Sequence, residues 1–241
     1  MAQTLTREVE WRGRTGPFGL TVRPGVFSPT ATSRTLADAL EIAPGDTVID
    51  VGCGSGVLAF VAAKLGAAKV YGCDLSAPAV SAARSNAERL GLSDVCEFRE
   101  GDLLDPVRDV RADVVIGDVS GIPDELAAVS GWFDRVPAGG PTGAELPRKL
   151  LASIGDTLAP GGRLYLPTGT LQDEQSILRL AREVFGDNME SVLEREFPLP
   201  DLVAKAAATA RMMKEGLLSL HKRGSRLLWS LRIWRCVRTE P

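Results

Sequence analysis

Histidine is almost absent from this chain: His221 is the single one among 241 residues. The four cysteines, Cys53, Cys73, Cys96 and Cys236, are far apart and form no C-x-x-C pair. Together they leave too few partners for a zinc site, so no metal is expected. Aromatic residues make up 5% of the chain and are not interleaved with basic runs, and the net charge is −3. Such a surface is not built to coat nucleic acid, which is therefore not expected as a partner. No apolar run is long enough and free enough of charge to cross a bilayer, and no membrane partner is expected. The N-terminal "MAQTLTREVEW" lacks the apolar core of a signal peptide. Cys53, Cys73 and Cys96 fall in or beside predicted strands, where a reduced thiol packs as a small hydrophobe. These features predict a reduced, cytoplasmic protein.

What is present is an ordinary apolar fraction of 44%, arranged in alternating strand and helix patterns. "REVEWRG" and "FGLTVRPG" read as a hairpin, followed by a helix over 31–40. From Asp46 the strands "TVIDVG", "AKVYGCD", "VCEFREGD", "ADVVIGD" and "GRLYLPTG" follow one another. Helices are predicted over 56–65, 77–90 and 143–158, the last with Leu146, Leu150, Leu151, Ile154 and Leu158 on one face. "SVLEREFPL" reads as a strand, 202–221 as a helix and "LLWSLRIWRCVR" as a final strand. Strands alternating with helices imply an α/β fold, with a mostly parallel sheet covered by helices on both faces. The simplest division is an N-terminal hairpin and helix extension over 1–42 and one domain over 43–241.

The most informative stretch is "VIDVGCGSGVLAF". A strand runs into Gly52-Cys53-Gly54-Ser55-Gly56 and directly on into a helix. Glycine there permits positive φ and lets backbone approach a ligand, and the amides at the helix start face that ligand. Asp74 follows at the end of the next strand, near the spacing at which such a sheet sets a carboxylate on a ribose hydroxyl pair. A dinucleotide loop requires G-x-G-x-x-G/A. Counted from Gly52 the third position is Val57, which fails; counted from Gly54 it is Ala59, but that starts two residues late. Asp50, just ahead of the glycines, suits a ligand carrying a positive ammonium group.

The G-x-G-x-G form with its preceding Asp resembles motif I of the class I S-adenosylmethionine-dependent methyltransferases. That resemblance implies a Rossmann-like sheet with an antiparallel last strand, and S-adenosyl-L-methionine as cofactor. It implies cofactor-binding roles for Asp50, Gly52, Cys53, Gly54 and Gly56. In "GCDLS" it implies Asp74 on the ribose hydroxyls and Leu75 against adenine. In "EFREGDLLD" it implies Asp102 near the exocyclic amine and Leu103 beside the ring. "PGVFSPTATSRTLADAL" and "AGGPTGAELPRKLLASIGDTLAPGGRLYL" are similar to the release-factor glutamine methyltransferase branch. Phe27, Pro29 and Thr30 would then lie along the cofactor.

That branch carries Asn-Pro-Pro-Tyr after its fourth strand; here the residues are Asp118-Val119-Ser120-Gly121. Both prolines and the stacking aromatic are missing, so glutamine and adenine targets do not transfer. Asp118, beside the cofactor's methyl, is the catalytic candidate to orient or deprotonate an amine or hydroxyl. The other reading is a structural Asp that caps the following turn. Ser120 is a weaker catalytic candidate, or a turn residue. His221, beside Lys222 and Arg223, reads either as a base or as a cation at a helix end. Met212 and Met213 read as core or lid packing, or as an apolar groove. The basic run from Lys205 to Arg238 reads either as a solvated face and charged edge strand or as a surface for an anionic partner.

The expected activity is methyl transfer from S-adenosylmethionine to an N or O atom of a small molecule or peptide. The alternatives are a protein or ribosomal-component methyltransferase and, in another class, a non-catalytic cofactor-binding protein on the same fold. Nothing in the sequence bears on oligomeric state.

Overall fold

The computed structural model describes residues 6–133 and 137–239. A two-stranded antiparallel hairpin, β1 (Arg7–Trp11) and β2 (Phe18–Val22), leads into α1 (Ala31–Ala39). Then come β3 (Thr47–Val51), α2 (Val57–Leu65), β4 (Lys69–Asp74), α3 (Ala77–Leu90), β5 (Cys96–Glu100) and β6 (Ala112–Ile116). The second half holds α4 (Asp124–Ser130), α5 (Glu145–Ser153), β7 (Leu158–Gly169), α6 (Glu174–Phe185) and β8 (Met189–Pro198). It closes with α7 (Asp201–Ala204), α8 (Ala207–Lys214), β9 (His221–Arg223) and β10 (Arg226–Val237). The sheet order is β5-β4-β3-β6-β7-β10-β8. The first five strands are mutually parallel, and β10 runs antiparallel between β7 and β8. The mostly parallel sheet with an antiparallel last strand is therefore as expected.

Side-chain alternation explains why the central strands are apolar almost throughout. Val48, Val114, Ile116 and Tyr165 face one core with α1, α2 and the hairpin, including Leu20, Leu36 and Phe60. Ile49, Val51, Val115, Leu164 and Leu166 face the other core with α5 and α6, including Leu150, Leu151 and Ile177. The α2 sequence "VLAFVAA" is apolar all round because it lies between the sheet and the N-terminal elements, and Val57 to Ala62 are buried. Arg14 ties the hairpin to α1 by donating to the carbonyls of Ala37, Asp38 and Leu40 at the helix's C-terminal end, where orphan carbonyls need partners.

Two predicted helices are shorter in the structure. The one over 143–158 stops at Ser153 and tightens into a 3₁₀ turn over Gly155–Thr157; Leu158 already belongs to β7. Ile154 and Leu158 remain buried, which is why the apolar spacing ran past the helix end. The one over 202–221 is two short helices, α7 and α8, and Gly216 at φ 75° turns the chain away. His221 is thus not at a helix end but opens β9, beside Glu196 at 2.9 Å. The sequence reading had no counterpart for α4, α6 or β9. Among the described residues, no helix is long and apolar enough to cross a membrane.

Candidate active site

The carboxyl ends of β3, β4, β5 and β6 form the site, and the chain order reverses between β3 and β6. Open parallel sheets leave a crevice at such a reversal. At the end of β3, Gly52 takes φ 75°, and a Cβ there would meet the Asp118 carbonyl at 3.2 Å. The amides of Gly52 and Cys53 both donate to the Cys73 carbonyl, at 2.8 and 3.0 Å. The loop is thereby fastened to β4 on one side and lies against Asp118, two residues after β6, on the other. Gly56, at φ 90°, starts α2 with the Phe60 ring 2.6 Å from where its Cβ would be. A larger residue would be strained in backbone and blocked by an aromatic ring.

Asp50 is buried, at 1% exposure. Its Oδ2 accepts from the Ala59 amide at 3.0 Å, so the strand carboxylate caps the first turn of α2, which has no side-chain cap of its own. Its Oδ1 has no hydrogen-bond partner among the described residues. Burial first, then the neighbouring Asp118 charge, push Asp50 up to about 8, and the Ala59 amide only partly offsets them. Asp74 accepts from the Gly54 amide at Oδ2 and the Ser76 amide at Oδ1, both at 2.9 Å. Leu75 next to it is an exposed apolar side chain, at 66%. Asp102 pairs with Lys149 of α5. Leu103 takes the unusual φ of 48°, with its carbonyl 2.9 Å from the Cys73 thiol. Burial pushes the Cys53 thiol well up, so it is a packing group and not a nucleophile.

The N-terminal segment lies across this loop. The Phe27 carbonyl is 3.7 Å from the Cβ position of Gly54, and the Phe27 ring sits 5.2 Å from that of Phe133. After Pro29, Thr30 caps α1, accepting from Thr32 N at 3.2 Å. Ser33 then connects the segment to β6: its Oγ accepts from Thr30 N at 3.4 Å and donates to Asp118 Oδ2 at 3.2 Å. Burial pushes Asp118 up to about 6, against the lowering effect of Ser33. Ser120 Oγ is buried without a hydrogen-bond partner among the described residues.

Four contributors to the site had no place in the sequence reading: Ser33, Asn86, Lys149 and Gln172. Asn86 is fully buried on α3 and holds three groups together. Its Oδ1 accepts from Thr21 N at 2.8 Å, and its Nδ2 donates to Thr21 O at 3.1 Å and Ser55 O at 3.0 Å. Hairpin and glycine loop are thereby held to one helix. The available signal was an Asn on the otherwise apolar stripe Ala79, Val80, Ala82, Ala83 and Ala87. Elsewhere, Glu145 is held by Thr142 N and Oγ1 at the start of α5. Met212 is buried in a small core with Leu126 and Leu199, whereas Met213 is exposed. Lys205, Arg211, Arg223, Arg232, Arg235 and Arg238 each pair with a carboxylate of this chain. The charged-edge reading accounts for those residues.

A ligand for this site must meet an unpartnered buried carboxylate oxygen at Asp50, backbone without Cβ atoms at Gly52 and Gly54, and the exposed Leu75. The donor set fits S-adenosylmethionine, which carries an ammonium group, a ribose and an adenine. Comparison with known proteins agrees. The family model for ribosomal protein L11 methyltransferase (PrmA) matches residues 26–121, the stretch that contains the whole loop and the end of β6. Over this stretch the chain is similar to S-adenosylmethionine-dependent methyltransferases. It is 42% identical over 117 residues to the ribosomal protein L11 methyltransferase of Aeromonas hydrophila, covering 45% of this chain and 39% of that protein. It is 34% identical over 184 residues to the release factor glutamine methyltransferase of Moorella thermoacetica, covering 71% of this chain and 64% of that one. The chain thus spans about two fifths of the first relative and under two thirds of the second. In fold it is similar to a T. thermophilus 16S rRNA methyltransferase solved with AdoMet and guanosine. The TM-score is 0.61 at 16% identity, over 97% of this chain and 51% of that one. The cofactor of the family is S-adenosylmethionine.

These findings correct the expected partners. The small-molecule or peptide substrate, with nucleic acid set aside, does not hold: the relatives are named for a ribosomal protein and a release factor, and the structural neighbour for rRNA.

Proposed function

We propose that this methyltransferase acts on a nitrogen or oxygen of a protein component of the translation machinery, with a ribosomal protein as the first candidate. The observation that carries the reading is Asp118. It stands at the end of β6 against the glycine loop, held through Oδ2 by Ser33, with a carboxyl pushed up to about 6. A carboxylate of that basicity takes a proton from an amine near neutral pH better than an ordinary aspartate does. The matching names of the curated relatives support a protein substrate.

S-adenosylmethionine, when bound, supplies a methyl group on a sulfonium that is its own leaving group. What remains for the chain is alignment and proton handling, and alignment alone is worth about 7–11 kcal/mol in favourable cases. In this reading Gly52, Cys53, Gly54 and Gly56 present backbone to the cofactor, and Asp50 meets its ammonium through the free Oδ1. Asp74 takes the ribose hydroxyls, while Leu75 and Leu103 flank the adenine whose amine Asp102 receives. Phe27, Pro29 and Thr30 cover it, so residues 1–42 serve as an extension over the 43–241 domain. Asp118 orients the acceptor and receives its proton. Ser120 stands beside it. The four free, buried cysteines suit a reducing, cytoplasmic setting.

The test is transfer of a labelled methyl group onto purified ribosomal proteins and release factors of the same cell, read by mass spectrometry, beside calorimetry with S-adenosylhomocysteine. Labelling of one protein at a defined N or O atom is expected. Tight cofactor binding with no protein labelled would instead mean a non-catalytic cofactor-binding protein.

A further inference from the structure

Among the described residues, Asp50 Oδ1 and Ser55 Oγ of the glycine loop are buried without a hydrogen-bond partner, and so are two side-chain groups that follow β6 and β7. The latter two are Ser120 Oγ and Gln172 Nε2. Ser120 lies four residues beyond β6 and Gln172 three beyond β7, and these strands are parallel neighbours, so both residues follow strands that end at the same edge of the sheet as Asp118. Gln172 is buried, at 6% exposure. Its carboxamide lies directly over Gly121, where a Cβ would come within 2.3 Å of Oε1. A Cβ at Gly143 would come within 2.9 Å of the Gln172 Cβ. Gln172 is thus packed against two glycines, yet its amino group has no hydrogen-bond partner among the described residues. Buried polar groups are nearly always paired, and an orphan is costly, so a standing pair of them calls for an absent partner.

The chemistry of that partner follows from the donors. An amide Nε2 can only donate, and a hydroxyl can donate to the same atom, so the partner is an acceptor oxygen. Asp50 and Asp118 are both acids at this end of the sheet, which disfavours a phosphate or carboxylate. A neutral carbonyl oxygen remains. We infer that Ser120 and Gln172 are positioning residues which bind a peptide carbonyl of the protein segment being methylated, and so hold its acceptor atom beside Asp118. The inference rests on a protein substrate, as proposed above.

Two arms keep the two ideas separable. In the first, the Gln172 side-chain amide is followed by NMR in the full chain with S-adenosylhomocysteine while N-methylacetamide is added as a peptide probe. A saturable shift, lost in Ser120→Ala, is expected. No movement, or movement with inorganic phosphate and not with N-methylacetamide, overturns the inference: the groups would then share a trapped water or an anion. In the second, Ser120→Ala and Gln172→Met are expected to raise KM for the methylated protein about tenfold while leaving affinity for S-adenosylhomocysteine within about twofold. Their Tm should hold or rise, because an orphan is replaced by an apolar group of similar shape. Gly121→Ala should reproduce the KM effect by displacing the carboxamide. Unchanged KM in all three variants overturns the inference. If the wild-type chain methylates no ribosomal protein or release factor, the substrate reading falls and the NMR arm still decides this one.

Discussion

Replacing Asp118 by asparagine separates charge from shape at the centre of the site. The wild-type carboxyl is pushed from the ordinary 3.8 up to about 6 by burial. A group whose folded pKa is raised contributes its full stability below the unfolded value and loses it as pH rises through the folded one. Here the loss runs from about pH 4 to pH 6. Two pKa units correspond to about 3 kcal/mol, which partial solvent access at Asp118 reduces to about 2. The substituted carboxamide is neutral throughout and can still accept from Ser33, so the variant escapes that loss. It also removes the charge that is the second cause of the raised Asp50. Calorimetric unfolding should therefore find the variant close to wild type at pH 4 and about 4–8 °C more stable at pH 7.5, at roughly 2–4 °C per kcal/mol for a chain of this size. Turnover should move the other way. The rise of kcat/KM through about pH 6 should vanish and kcat fall about 100-fold, a usual cost of losing a general base. An equal stability change at both pH values, or an unaltered pH–rate limb, would refute a strained carboxylate at this position.

Other sites give sharper structural tests. Asn86→Ala leaves Thr21 N, Thr21 O and Ser55 O without their partner; a loss of about 3 kcal/mol in urea unfolding is expected, with weaker S-adenosylhomocysteine binding as the glycine loop loosens. Gly56→Ala sets a Cβ 2.6 Å from the Phe60 ring at φ 90°; the expected cost is about 2–4 kcal/mol, and a Tm within a degree of wild type would mean the loop relaxes freely. Asp74→Asn retains an acceptor for the Gly54 or Ser76 amide but weakens recognition of a hydroxyl pair. Calorimetry should record about tenfold lower affinity for S-adenosylhomocysteine with folding unchanged, and equal affinity would remove Asp74 from the ribose.

The legible parts of this protein were those written in local spacing. The glycine loop, the strand-end acids and the parallel strands follow from periodicity, because each strand buried on both faces must be apolar nearly throughout. Helix ends were less legible, since burial continues past them: Ile154 and Leu158 remain in the core after α5 has stopped. The contacts that complete the site were not legible at all. Ser33 meets Asp118, and Gln172 meets Gly121, only because α1 and β7 converge on the end of β6 in three dimensions. Asp50 is the middle case. Its position was readable, but its capping bond to Ala59 depends on how α2 turns back over the strand.

The same convergence bears on the missing Asn-Pro-Pro-Tyr. Set beside that motif, Gly121 stands where the stacking tyrosine would be, and its substitution looks like a loss. The geometry gives it a positive use. Any side chain at 121 would strike the Gln172 carboxamide, so an aromatic there and a glutamine after β7 exclude each other. A tyrosine selects flat groups by stacking, whereas Gln172 and Ser120 offer donors to a carbonyl oxygen. In the proposed reading, exchanging the one for the other keeps the acid at the end of β6 and changes what is held against it. Gly121→Tyr would therefore not restore a planar-amide site in this chain. It would expel Gln172 into the space the substrate needs, and the first position of the motif would still be filled by Asp118 and not by an asparagine.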